Sequence, residues 1–309
     1  MSITTITLSP AIDVHCHLSE LIPETEHLAT ISSRDIGGKG VNISRVLTAS
    51  GVSNTAIVVL GDQNGREFSE ELSRIGITHR DFLVKGRIRE NITLHTADGK
   101  ETRISFSNPV EISDTLWAQI ENELVASATE NSIITLTGRV PEGVSVKAIK
   151  NTLLRLKALG AKTVVDSKSF SLNDLIECKP WLIKPNEEEI EQYIHKKVTA
   201  FNEASTIAEE LHAKGIDNVL ISLGNTGAIL ACHNGCFTAT PPSVSVKSTV
   251  GAGDSAIAGF LIGQEQAATP SGCLLLAVAY GTASCTVDGT AAPSAEAVAE
   301  IINQIKMNV

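Results

Sequence analysis

The chain has 309 residues, a formal net charge of −10 and only 4% aromatic residues. Its length permits one large domain or two ordinary ones, and a domain of this size closes a full apolar core without disulfides or a structural metal. The acidic balance argues against nucleic acid or an anionic membrane as partner, since each wants a basic face. It still allows a phosphorylated ligand held by a few cations gathered in one cleft.

Residues 1–13 carry neither a basic n-region nor an apolar h-region, so no signal peptide is expected. Apolar runs such as 55–60 and 274–279 are too short to span a bilayer, and a cytoplasmic location is the expectation. In chain order, a β-branched strand is predicted over 4–8, followed by a polar, extended stretch over 13–35 with no helical stripe. The triplet His15-Cys16-His17 in it looks ligand-like, but successive side chains in a strand face opposite ways, so a plain strand is the simpler reading. A helix over 43–49, a strand over 56–60 and a helix over 65–75 ending at Gly76 come next. Residues 86–109 alternate apolar and polar around Ala97-Asp98-Gly99-Lys100, a hairpin signal.

Beyond that, helices are predicted over 114–128 behind Ser113 as N-cap, over 144–159 ending at Gly160, and over 203–214 ending at Gly215. Strands are predicted over 132–136, 163–165, 181–183, 219–222, 228–231, 237–239 and 243–247, with a final helix over 256–262. The six cysteines are scattered. Cys232 and Cys236 flank a hairpin turn, and reduced thiols fit better than a zinc site or a disulfide framework.

Short, continuously apolar strands alternating with helices predict an α/β fold, a doubly wound, mostly parallel sheet flanked by helices. The two stretches that break the pattern can pair as a small discontinuous β lid. This divides the chain into a core (1–12, 36–85 and 110–309) and a lid (13–35 and 86–109). Two solvent-exposed hairpins are the plainer alternative for the latter.

Four motifs carry candidate chemistry. In Thr249-Val250-Gly251-Ala252-Gly253-Asp254 the two glycines let backbone approach a ligand, and the amides of Gly251, Ala252 and Gly253 would point out of a helix N-terminus as an anion site. Asp254 is then an acid beside an anion hole, or merely a first-turn carboxylate stabilising its helix. The segment also fits G-x-G-x-x-A, but no acidic ribose partner follows at the right distance and too little chain remains, so dinucleotide binding is rejected.

Gly37-Gly38-Lys39-Gly40-Val41-Asn42 offers backbone, a cation and an amide at a helix start, suited to a phosphate or polyol, or else a tight turn. Ser222-Leu223-Gly224-Asn225-Thr226-Gly227 reads as a β-turn or as a loop over a nucleotide. In Lys184-Pro185-Asn186-Glu187-Glu188-Glu189 a capped helix competes with a hard-oxygen set of Asn186 and Glu189 facing hydrated Mg²⁺. Arg87, Arg89 and Arg103 lie in the lid segment, where guanidinium can grip phosphate bidentately.

Taken in this order, the motifs resemble the ribokinase-like (PfkB) carbohydrate kinase family over nearly the whole chain. Thr7-Leu8-Ser9-Pro10-Ala11-Ile12-Asp13 is similar to the opening of its bacterial branch containing 1-phosphofructokinase and tagatose-6-phosphate kinase. The resemblance implies a kinase of ketohexose phosphates using ATP and Mg²⁺. Fructose 1-phosphate is the first substrate and tagatose 6-phosphate the alternative. From another class, a catalytically silent sugar-phosphate sensor is the competing reading, disfavoured by the intact motifs.

By the resemblance, Asp254 is the general base and Gly251, Ala252 and Gly253 form the anion hole. Asp13, Gly38, Lys39, Asn42, Arg89, Asn91, Gly138 and Arg139 serve the sugar phosphate. Lys184, Asn186, Ser222, Gly224, Gly227, Thr249 and Gly251 serve the nucleotide, with Glu189 and Asn186 toward the metal. A homodimer through the lid is expected. The chain departs from the branch at Ser9, at Arg139 (where a serine is usual) and at Asp166-Ser167-Lys168-Ser169.

Overall fold

The computed structural model describes residues 2–107, 110–195, 197–198 and 201–308. Residues 108 and 109, the end of the predicted lid segment, lie outside them. The chain opens with β1 (Ile3–Thr7), leaves for β2 (Ala11–Leu18) and β3 (Thr30–Gly37), and returns through α1 (Lys39–Ala49) to β4 (Thr55–Gly61), α2 (Gly65–Arg74) and β5 (Thr78–Val84). A second excursion forms β6 (Arg89–Thr96) and β7 (Glu101–Ile104). Alternation resumes with α3 (Asp114–Ser127), β8 (Ile133–Thr137), α4 (Val146–Ala158), β9 (Lys162–Asp166), α5 (Leu172–Cys178), β10 (Leu182–Ile183), α6 (Glu187–Ile194), α7 (Phe201–Ala213) and β11 (Asn218–Ser222). The chain ends with β12 (Ala228–Cys232), β13 (Gly235–Thr240), α8 (Ala252–Glu265), α9 (Pro270–Ser284), α10 (Ala295–Ile302) and β14 (Lys306–Asn308).

Ten strands form one sheet in the order β14-β13-β12-β11-β10-β9-β8-β1-β4-β5. It is parallel from β5 to β11 and antiparallel from β11 to β14. The central strands β1 and β8 are buried along their whole length because β-branched residues face helical layers on both sides. Ile6 and Ile57 belong to one apolar layer; Ile3, Leu182 and Leu230 belong to the other.

Helix starts follow the expected chemistry. Ser113 and Ser145 each accept from the third amide beyond them, at 3.3 and 3.1 Å. Gly76 and Gly160 follow helix ends with φ of 78° and 86°, a left-handed turn that glycine adopts without strain.

Some expectations fail for identifiable reasons. Residues 243–246 make no strand ladder; Lys247 instead donates its amide to the Cys285 carbonyl at 2.8 Å. Strand β5 escaped notice because its sequence, THRDFLV, is largely polar at a sheet edge. Helix α9 escaped because it is apolar over most of its circumference and shows no amphipathic stripe.

The two excursions pair as a separate four-stranded sheet in the order β3-β2-β6-β7. Its inner strands β2 and β6 run parallel, which requires a long crossover between them. The sheet reaches two residues beyond 13–35 at each end, since β2 starts at Ala11 and β3 runs to Gly37. Register puts Asp13 opposite Asn91 and Thr93 opposite Arg103, while Val14, Ile92 and Ile104 share the other face.

In the large sheet, strand order reverses between β1 and β8. At such a switch point a crevice opens beyond the carboxyl ends of the strands, the usual ligand position in doubly wound folds. Thr7, Thr137, Asp166 and Ser222 all stand at those ends.

Candidate active site

Asp254 lies in the first turn of α8 and is only 5% exposed. Asn42, in the first turn of α1, donates its side-chain amide to Asp254 Oδ2 at 2.8 Å. Burial pushes the Asp254 carboxyl up to about 6 and Asp166 adds to the rise, against the lowering by Lys39, the Asn42 hydrogen bond and Lys184. A carboxylate tuned near neutrality can take a proton at physiological pH and give it up again.

Gly251 caps α8 with φ 80°, and a Cβ there would come 3.4 Å from Thr290. The Ala252 amide turns back on the Thr249 carbonyl at 3.3 Å. The Gly253 amide belongs to the first helical turn, which offers it no intrahelical acceptor. This end of α8 thus presents positive dipole next to a buried carboxylate.

Asp166 joins two cations. It accepts from Lys39 Nζ at 3.0 Å and lies 3.7 Å from Lys184 Nζ. Asp166 and Lys184 are buried, and Lys39 is about one-third exposed. Burial pulls the Lys39 ammonium down, but Asp166, Asp254 and Glu189 outweigh it and hold Lys39 above the usual lysine value. Lys184 also abuts α8, since a Cβ on Gly253 would meet its Nζ at 3.0 Å.

A cleft of about 800 Å³ opens from this point. Lys184, Asn186, Ser222, Gly224, Gly227 and Thr249 line it, as do Ala252 and Gly253. Gly251 does not line it. Sequence reasoning missed the apolar walls, formed by Leu220, Val244, Val246, Ala256 and Val278 with Pro241 and Pro242. Such walls suit a flat heterocycle, with the cation and helix end placed toward a charged tail.

Asn186 and Glu189 form a reciprocal capping box. Asn186 Oδ1 accepts from the Glu189 amide at 2.8 Å, and Glu189 Oε2 accepts from the Asn186 amide at 3.1 Å. Asn186 thus has its oxygen engaged on its own helix. Among the described residues no group of three or more His, Cys, Asp or Glu could hold a metal ion. The donor set therefore fits Mg²⁺ only as an ion that keeps much of its water and shares nucleotide phosphates, with the buried Glu189 as nearby carboxylate.

The small sheet contributes a second group of polar and charged residues. Asp13 Oδ1 accepts from Asn91 at 2.8 Å and from Arg103 at 2.9 Å. Arg89 is held down from the usual arginine value by burial and then by the positive charges of Arg139 and Arg103, against Asp13. The charges of Arg103, Arg139 and Asp13 thus all bear on Arg89. Ser9 Oγ, Arg89 Nε and Thr137 Oγ1 are buried with no hydrogen-bond partner. A charged, multi-hydroxyl ligand would satisfy such groups.

Gly38 (φ 131°) has no room for a Cβ, which would meet Thr7 Cγ2 at 2.6 Å; Gly138 (φ 88°) faces Lys39 Cβ at 3.9 Å. Of the sugar-side candidates, Arg139 is exposed and has no ion pair or hydrogen bond among the described residues. Asp166 was noticed in the sequence only as a departure, and Arg103 only as an available cation. Arg45 escaped entirely, although it lies one helical turn beyond Asn42 and donates to Asn42 Oδ1 at 3.2 Å.

A doubly wound sheet with a large cleft, a helix N-terminus and a near-neutral buried carboxylate beside a group of cations has the makings of phosphoryl transfer to an alcohol. The pfkB family carbohydrate kinase model matches residues 9–297, and the chain belongs to that family. It is therefore a carbohydrate kinase, with ATP as phosphate donor. The 1-phosphofructokinase of Vibrio cholerae is 30% identical over 306 residues, covering 99% of this chain and 96% of its own. That of Escherichia coli K12 is 33% identical over 261 residues, covering 84% and 83%. Phosphofructokinase-2 from E. coli, solved in complex with substrates and products, superposes with a TM-score of 0.90 at 25% identity, covering 98% of this chain and 99% of that one. No helix among the described residues is long and apolar enough to cross a membrane.

Proposed function

We propose that the chain transfers the terminal phosphoryl group of ATP to fructose 1-phosphate, giving fructose 1,6-bisphosphate and ADP. The observation that carries this reading is the position of Asp254. Its buried carboxylate lies where the cleft ending at Gly253 meets the sugar-side residues Asn42 and Lys39. Asp254 takes the proton of the acceptor hydroxyl as the new O–P bond forms and the bond to ADP breaks.

The amide of Gly253, the dipole of α8 and Lys184 meet the charge on the transferring group. Lys39 and the guanidiniums of Arg89, Arg103 and Arg139 grip the phosphate the sugar already carries. Asp13 and Asn91 receive its hydroxyls. Glu189 would hold Mg²⁺ through its water shell, and the ion when bound neutralises phosphate charge. The four-stranded sheet acts as a lid that excludes water, which would otherwise accept the phosphoryl group.

Ile31 and Ile104, both exposed, lie by register on the sheet face opposite Asp13. This supports a homodimer formed lid to lid, checked by sedimentation with Ile31→Glu as the dissociating variant. A solved structure of E. coli phosphofructokinase-2 is of a tetrameric inhibited form.

The test of function is ADP release over fructose 1-phosphate, fructose 6-phosphate, tagatose 6-phosphate and free fructose. The highest kcat/KM is expected with fructose 1-phosphate. A preference for tagatose 6-phosphate would move the assignment to the alternative substrate. Binding without ADP release would favour the sensor.

A further inference from the structure

Arg45, on α1, makes hydrogen bonds to groups from three separate parts of the chain. Its Nη1 donates to Asn42 Oδ1 at 3.2 Å, to the Thr290 carbonyl at 3.0 Å and to Thr290 Oγ1 at 2.7 Å. Its Nη2 donates to the Ile36 carbonyl, at the base of β3, at 2.6 Å. No carboxylate lies within ion-pair distance of the guanidinium among the described residues. A cation taken from water without a direct counter-ion is costly, and a neutral hydrogen-bonding residue would fill the space at lower cost.

The arrangement has a chemical consequence at Asn42. An amide oxygen and nitrogen are nearly isosteric, so which one faces Asp254 depends on their partners. Guanidinium is a donor only. It therefore fixes Oδ1 of Asn42 toward itself and leaves Nδ2 facing Asp254, where it donates at 2.8 Å. The same guanidinium ties Thr290, which packs against Gly251 at the start of α8, and the end of β3 at Ile36.

We propose that Arg45 is a positioning residue for phosphoryl transfer: it locks the Asn42 amide and so orients the Asp254 carboxylate, linking that orientation to the base of the lid. This rests on the reading of Asp254 as general base. The charged groups that bear on the pair come from several elements. Asp35, Glu71, Asp13 and Asp254 act on Arg45; Lys39, Asp166 and Lys184 act on Asp254. Removing Arg45 frees Asn42 to turn, deprives Asp254 of a donor that favours its charged form, and moves the acid limb of kcat/KM to higher pH.

The experiment is a double-mutant cycle of Arg45→Met and Asp254→Asn, with Arg45→Lys alongside. Arg45→Lys keeps the charge but cannot reach Asn42, Thr290 and Ile36 at once. Arg45→Met is expected to lower kcat about 10- to 100-fold, the range for a misplaced catalytic group, and to leave the KM for ATP within about 3-fold, since Arg45 does not line the cleft. Arg45→Lys is expected to show the same losses in smaller measure and the same displaced acid limb.

In the Asp254→Asn background, Arg45→Met should change the residual rate by less than about 2-fold, because both changes act through one carboxylate. Multiplicative losses, or a wild-type acid limb in Arg45→Lys, overturn the proposal while leaving the base assignment intact. Near-normal turnover in Asp254→Asn overturns both. Should Arg45→Met fail to fold, the turnover and pH profile of Arg45→Lys decide the matter.

Discussion

Lys39 donates to Asp166 across 3.0 Å, joining the first residue of α1 to the last residue of β9, 127 positions apart. Lys184 approaches the same carboxylate oxygen at 3.7 Å. One buried anion thus sets the spacing of two cations, Lys39 proposed for the sugar phosphate and Lys184 proposed for the nucleotide. Asp166→Asn removes the anion and leaves Lys184 buried without its nearest charge partner. Breaking such a pair from one side costs about 3–5 kcal/mol when fully buried; the exposure of Lys39 places the expected loss at the lower end, about 3 kcal/mol. Urea denaturation measures it. Both KM values are expected to rise together, and a rise in only one would show that Asp166 serves a single cation.

Asp254 gives a pH prediction with a definite sign. Its carboxyl lies near 6 in the folded protein, chiefly through burial and then despite Lys39. As the proposed base it must be ionised to accept a proton, so kcat/KM should fall below about pH 6. For stability the sign is opposite to that of a salt-bridged carboxylate. The folded value is raised, so this group's contribution to stability is complete below its unfolded value and is lost as pH rises through about 6. Asp254→Asn should abolish turnover by at least about 10³-fold. It should also stabilise the fold at pH 8 by up to about 3 kcal/mol, the equivalent of about two pKa units. That gain should shrink toward zero near pH 4. Thermal unfolding at pH 4, 6 and 8 tests it, and a constant difference across the series would contradict the raised carboxyl.

Much of this was legible in the chain. Alternating β-branched runs and glycine stops marked the sheet and its helices, because both signals are local and set by sterics. Gly251, Gly253 and Asp254 marked the helix N-terminus for the same reason. What escaped depends on partners far away in sequence. The polar edge strand β5 is defined by its ladder to β4. The parallel pairing of β2 with β6 joins segments whose side chains alternate like any hairpin. Asp166 and Arg45 bear ordinary charges until folding buries them beside Lys184 and Asn42. Asn186 illustrates the converse, for a local capping pattern engages an oxygen that spacing alone also allowed toward a metal.

Two glycines separate function from folding. A Cβ on Gly40 would meet the Ile6 carbonyl oxygen and Thr7 Oγ1, both at 2.5 Å, and neither backbone nor the strand can give way cheaply. A Cβ on Gly253 would meet only the far end of Lys184, at 3.0 Å. Gly40→Ala should therefore destabilise the protein by about 1–3 kcal/mol, as overpacking does. Gly253→Ala should leave unfolding almost unchanged and raise the KM for ATP by displacing the Lys184 ammonium. Comparable losses of stability in both variants would refute the distinction.

Arg139 carries the last prediction. It stands just beyond Gly138, where β8 ends and Lys39 lies close by. Its positive charge bears on Arg89, as does that of Arg103, and among the described residues only the Asp13 carboxylate opposes them there. Asp13 already accepts from Asn91 and Arg103. An uncompensated cluster of this kind favours a dianion, and a phosphate on the sugar supplies one. Each charged hydrogen bond to it is worth about 1.5–3 kcal/mol. Arg139→Ser should therefore raise the KM for fructose 1-phosphate about 10- to 100-fold while kcat changes little, since Asp254 and the end of α8 are untouched. Turnover of unphosphorylated fructose should not fall. A drop in kcat at unchanged KM would mean that Arg139 meets the transferring phosphoryl group rather than the resident one.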